Sequence, residues 1–183
     1  MTELGGVRAL LFDVFGTLTD WRTTVIREGR ELGAQRGLEA DWEGLADAWR
    51  AGYGPIMRRV EDGQLPRQPI DALLRSLLYE LLPRCGLDVL GEEDRTHLKL
   101  VWHRLDAWPD VRPGLERVRP HFTVAPLSNG NTSLVIDLAR QADLRWDCIL
   151  SAELLGHFKP HPEVYRSAAR VLALQPHRIL MVA

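Results

Sequence analysis

The sequence predicts an α/β fold in which a parallel sheet carries a helical insert after its first strand. Three patterns point to it: short apolar runs that stop at a polar residue, helical stretches between those runs, and one long segment of helical spacing with no convincing strand. Residues 7–12 are nearly continuously apolar and end at Asp13, as a strand buried on both faces does. Residues 122–127 form a second run, ending at Ser128-Asn129-Gly130, with Pro126 inside it removing one ladder donor. A third strand is predicted over 148–150 and a fourth over 179–182. Helices are expected over 133–142, with Asn131 or Thr132 as N-cap, and over 163–174, opened by Pro162.

Residues 21–108 break the alternation and read as an inserted helical subdomain, leaving 1–20 and 109–183 as the core domain. Helical spacing covers 24–35, 70–82 and 92–105, and Asp41 can cap a further helix that holds Trp42, Leu45, Ala46 and Trp49. Gly52, Gly54 and Pro55 predict a kink in that helix. Such an insert is expected at the carboxyl ends of the strands, where ligands bind in sheets of this kind.

Composition narrows the function. Of 183 residues, 45% are apolar and 26% charged, the balance of a globular protein. The net charge of −2 gives no general nucleic-acid footprint. No basic leader precedes an apolar core, and no uncharged run approaches membrane-spanning length, so neither secretion nor membrane insertion is expected. Cys85 and Cys148 lie far apart, without metal-ligand spacing, which fits a reduced, cytoplasmic protein. His157 and His161 flank Lys159, but Pro160 and Pro162 predict a loop there, so no metal is implied.

The chemistry concentrates at the strand ends. In Phe12-Asp13-Val14-Phe15-Gly16-Thr17-Leu18-Thr19-Asp20, a carboxylate is held rigidly at a strand terminus. The turn after it offers the Val14 and Phe15 amides to an anion, and Thr17 adds a hydroxyl. Ser128 and Asn129 are short hydrogen-bonding groups at the second strand end. Lys159, followed by Pro160 just past the third strand, can neutralise added charge.

These three motifs, in this order, resemble the haloacid dehalogenase superfamily, and within it most nearly the type II 2-haloacid dehalogenases. The resemblance covers almost the whole chain. It implies a Rossmannoid core with a helical cap, and hydrolysis of a short 2-haloalkanoic acid, a small-molecule partner, through an ester on Asp13. Lys159 would stabilise the Asp13 charge. Arg50, in Ala48-Trp49-Arg50 of the insert, would receive the halide together with Asn129. Ser128 and the amides of Val14 and Phe15 would hold the substrate carboxylate, while Trp21 and Tyr165 would shape the cavity.

Position 15 separates the branches of the superfamily. Its phosphatases place a second aspartate there to protonate the leaving alcohol; this chain has Phe15. Chloride, bromide and iodide leave as stable anions and need no such proton. A substrate with one carboxylate charge also needs no Mg²⁺, so no cofactor is expected except under the rival reading of a Mg²⁺-dependent phosphatase. A second rival is a binding protein that keeps the fold without the chemistry. Family members continue beyond the strand at 179–182 into a fourth motif that is not in these 183 residues, so the core is expected to be C-terminally incomplete and slow in turnover. A homodimer is compatible with the sequence.

Overall fold

The computed structural model describes residues 5–183. In chain order the elements are β1 (Ala9–Phe12), β2 (Thr19–Asp20), α1 (Trp21–Arg36), α2 (Trp42–Glu61), α3 (Ile70–Leu81), α4 (Glu92–Lys99), β3 (Asp106–Ala107), α5 (Val111–Val118), β4 (Thr123–Ser128), α6 (Thr132–Gln141), β5 (Leu150–Ser151), α7 (Ala152–Leu155), α8 (Pro162–Val171) and β6 (Ile179–Val182). The chain divides into two compact units: Met1–Asp20 with Asp106–Ala183, and Trp21–Leu105. No helix among the described residues is long and apolar enough to cross a membrane.

The first unit holds the sheet, in the order β5-β4-β1-β6. Every pairing in it is parallel. The central strand β1 is apolar because neighbours cover it on all sides, and Ala9, Leu10 and Leu11 are at most 5% exposed. Leu11, Ala125, Leu127 and Leu150 of the sheet pack with Leu155, Val164 and Ala168 of α7 and α8. Pro126 does not break β4. The β1 register runs on through it, opposite Phe12, and the pairing to β5 begins one residue later at Leu127.

The third strand is shorter than its apolar run suggests and is displaced to Leu150–Ser151. Before it, Asp147 donates its N–H to the Val124 carbonyl and accepts the Val124 N–H at its carboxylate, a local side-chain pairing that takes the place of ladder bonds. Cys148 is half-buried and packs against the core, and burial pushes its thiol pKa up.

A second, two-stranded sheet escaped the sequence reading. β2 pairs antiparallel with β3, so the chain leaves for Trp21–Leu105 and returns from it side by side. Trp108 then donates its N–H to Leu18 and its indole N–H to Gly16, at 3.0 and 3.1 Å. These bonds place residues 106–108 in the first unit, where the sequence had put them in the insert.

In the second unit, Asp41 caps α2 by accepting the Gly44 N–H at 2.8 Å. Gly52, Gly54 and Pro55, where a kink is expected, all lie within the continuous helix α2. Gly52 serves packing: a Cβ there would lie 2.9 Å from Leu77 of α3. The helix expected over 92–105 ends at Lys99 and tightens into a 3₁₀ turn over Leu100–His103.

Arg36 of α1 grips Asp94 of α4 through three hydrogen bonds of 2.8 to 3.1 Å. Hydrogen bonding to Arg36 holds the Asp94 carboxyl below its ordinary value. A depressed folded-state pKa gives stability that is present above the ordinary carboxyl value, about 3.9, and lost as pH falls through the lowered one. Asp94→Asn should therefore lower the melting temperature at pH 7, with a gap to the parent that narrows at pH 3. Melting curves that stay equally separated at both pH values would remove this pair from the acid response.

Candidate active site

Asp13 is the first residue past β1, and its N–H donates to the Val182 carbonyl at 2.9 Å, fixing the backbone at the sheet's carboxyl edge. Its two carboxylate oxygens are held separately. Lys159 Nζ donates to Oδ1 at 2.6 Å and Thr17 Oγ1 donates to Oδ2 at 2.9 Å. The side chain retains 26% exposure, enough to present an oxygen to a ligand, while Lys159 retains 12%.

The loop after Asp13 is tied around one carbonyl. Val14 O accepts the N–H groups of Leu18 and Thr19 and the hydroxyl of Thr19, at 3.0 to 3.2 Å. Gly16 makes the turn with φ +97°, a conformation that other residues rarely adopt. The Val14 N–H has no hydrogen-bond partner among the described residues, so it is available to an anion next to Asp13. Phe15 is 7% exposed, and its ring lies against Gly130 in the loop after β4. Position 15 thus offers no proton-transferring group.

Ser128 ends β4 and is 2% exposed; its Oγ accepts the Gly130 N–H at 2.9 Å. That bond uses a lone pair and leaves the hydroxyl proton for another acceptor. Asn129 is tied to the lysine. Its Oδ1 accepts the Lys159 N–H at 2.7 Å and its Nδ2 donates to the Lys159 carbonyl at 3.2 Å, so the amide clasps the lysine backbone. Lys159 Nζ is steadied further by the Leu127 carbonyl at 2.5 Å.

Behind this row, Thr132 shares a 2.8 Å hydroxyl contact with the fully buried Ser151, and its N–H donates to Glu153 at 3.0 Å. His161 caps α8 by accepting the Glu163 N–H at Nδ1, and its ring stacks on His157 at 3.9 Å. Tyr165 sits on α8, 39% exposed, and makes no hydrogen bond among the described residues.

The structure thus joins Thr17, Asp13, Lys159 and Asn129 in one hydrogen-bonded row, with Ser128 next to Asn129 at the end of β4 and Val14 and Phe15 in the loop after Asp13. Arg50 and Trp21 belong to the second unit. There the Arg50 guanidinium carbon lies 4.9 Å from the centre of the Tyr53 ring and 5.8 Å from that of Trp21. Trp21 is stacked on Trp102, with ring centres 6.3 Å apart. Sequence reading missed the Leu127 carbonyl, Trp108, Tyr53 and Trp102. A backbone acceptor leaves no trace in residue type, and Tyr53 and Trp102, far apart in sequence, meet only in the folded unit.

The profile of the haloacid dehalogenase-like hydrolases matches residues 7–182, and the chain belongs to that family. It is 31% identical to (S)-2-haloacid dehalogenase 4A of Burkholderia cepacia over 97% of this chain and 74% of that protein. Among solved structures, the L-2-haloacid dehalogenase PA0810 is 44% identical, with a TM-score of 0.92 over 96% of this chain and 75% of its own. The defluorinating L-2-haloacid dehalogenase Rha0230 is 38% identical, also with a TM-score of 0.92, over 96% of this chain and 72% of its own.

Asn129→Ala would strand both polar groups of the part-buried Lys159 backbone, a loss of about 1–3 kcal/mol. Urea unfolding should show it as a lower midpoint with an unchanged slope. A parent-like midpoint would mean that the clasp contributes nothing to stability.

Proposed function

We propose that this chain hydrolyses short (S)-2-haloalkanoic acids to 2-hydroxy acids, with Asp13 as nucleophile and without a metal. One observation carries the reading: the Asp13 carboxylate is oriented by Lys159 and Thr17 while position 15, beside it, holds a buried phenyl ring where a phosphatase needs an acid. The names of the similar proteins supply the substrate class.

In the first step an Asp13 oxygen attacks C2 of the substrate from the face opposite the halogen. The C–X bond breaks with its electron pair leaving as halide, an ester forms, and C2 inverts. Ser128 O–H and the Val14 and Phe15 amides hold the substrate carboxylate. Arg50 takes up the charge growing on the halide, Trp21 and Tyr165 wall the cavity, and Asn129 acts through Lys159. In the second step water adds to the ester carbonyl of Asp13. The 2-hydroxy acid leaves, one proton is released, and the carboxylate returns to Lys159 and Thr17. A phosphatase reading would have to find its leaving-group acid elsewhere, and it is the less favoured one.

Halide release from (S)-2-chloropropionate should persist in excess EDTA, with 2-fluoro acids included in the panel because one structural neighbour is a defluorinating enzyme. Phosphate release that requires Mg²⁺, with no halide released from any 2-haloacid, would replace this reading with the phosphatase. A single turnover in ¹⁸O-water should leave label in the peptide containing Asp13, since water attacks the aspartyl carbonyl. Label confined to the product would point to direct attack by water on C2.

A further inference from the structure

Arg50 is held unlike the arginines of its unit that pair with carboxylates. Arg22, Arg30, Arg36 and Arg104 each pair with a carboxylate, on Asp47, Glu43, Asp94 and Glu28 respectively. Arg50 makes no hydrogen bond or ion pair among the described residues. Its guanidinium instead rests over the faces of two aromatic rings, Tyr53 at 4.9 Å and Trp21 at 5.8 Å, both within the range of a cation–π attraction.

We propose that Tyr53 is a positioning residue whose ring face fixes the Arg50 guanidinium with its N–H donors open to an anion. This rests on the reading of Arg50 as the group that meets the departing halide. Tyr53 lies three residues after Arg50 on α2, hence on the same face of the helix. The ring is itself immobile. It is 6% exposed and stacks on Trp102 at 6.4 Å and 20°, while Trp49 meets Trp102 edge-on at 5.4 Å and 84°. Trp49 and Trp102 are 0% and 1% exposed, and Trp49 donates its indole N–H to Leu74 of α3 at 2.9 Å. The support therefore runs from α2 through Trp102 into the packed interior of the unit.

An aromatic face and a carboxylate restrain a guanidinium in different ways. A carboxylate occupies two N–H donors and cancels the charge; a ring face attracts the cation while leaving the edge donors and the charge in place. A halide gains most of its charge only as the C–X bond breaks, so a receptor fixed in advance lowers the barrier more than it tightens substrate binding. Loosening it should therefore fall on kcat rather than on KM, and most heavily on the poorer leaving groups.

The test places phenylalanine and its increasingly fluorinated analogues at position 53, which keep the ring's shape while draining negative charge from its face, and compares them with Tyr53→Leu and Arg50→Ala. Phenylalanine is the reference of the series, since it keeps the ring face under Arg50. Tyr53→Leu should lower kcat for 2-chloropropionate about 3- to 30-fold, with KM little changed, a smaller loss for 2-iodopropionate and weaker product inhibition by bromide. The fluorinated series should fall in order between these limits. If Arg50→Ala abolishes turnover while the fluorinated series stays flat and a folded Tyr53→Leu keeps the parent kcat, the positioning role is overturned and Arg50 stands without it. If Arg50→Ala itself leaves chloride release intact, the halide role of Arg50 fails, and this proposal with it.

Discussion

The ion pair between Lys159 and Asp13 joins residues 146 positions apart, and it closes at 2.6 Å only when several elements are in register together. β1 must deliver Asp13 to the sheet edge, and β4 must end beside it with its Leu127 carbonyl turned toward Lys159 Nζ. The loop after α7 must then bring the lysine back, where Asn129 takes hold of its backbone. Each condition is set by a neighbour one strand away, so the parallel register and the site are one constraint. A slip of β4 by one residue would move Leu127, Ser128 and Asn129 together and take away acceptor, hydroxyl and clasp at once.

The same arrangement explains why a loop so rich in small and polar residues can hold a rigid geometry. Three donors converge on the Val14 carbonyl, Trp108 closes on Gly16 and Leu18, and Thr17 reaches back to Asp13. The segment uses its own polar groups to order itself, while Val14, Phe15 and Leu18 bury their side chains. The Val14 N–H stays outside that internal accounting, which is what a site for a substrate carboxylate requires.

Much of this was legible in the sequence, for physical reasons. A strand buried on both faces must be apolar until it ends, so the end of β1 marks Asp13. Helix caps and apolar spacing are local, so Asp41 before α2 and Pro162 at the start of α8 stand out. What failed was non-local or lay in the backbone. β5 shrank because Asp147 pairs with Val124 across the sheet, and the room that Gly52 of α2 leaves for Leu77 depends on a different helix. The two-residue ribbon β2–β3 carries too few residues for any periodicity. In the site, residue types singled out Asp13, Thr17, Ser128 and Lys159, of which Thr17 and Lys159 are hydrogen-bonded to Asp13. Asn129 was seen but its partner was not, since an amide facing a backbone looks in sequence like an amide facing a ligand.

The antiparallel pairing of Thr19–Asp20 with Asp106–Ala107 gives the second unit a common doorway: its first and last residues leave and re-enter the sheet-bearing unit side by side. To the strand β1, everything from Trp21 to Leu105 is then one long loop whose closure is set at its base. Loop-closure entropy rises only with the logarithm of length, so helices can be lengthened, exchanged or rebuilt beyond that base at little cost to the register beneath. Selection can work on one part of the chain while Asp13 and Lys159, anchored in the other, stay where they are.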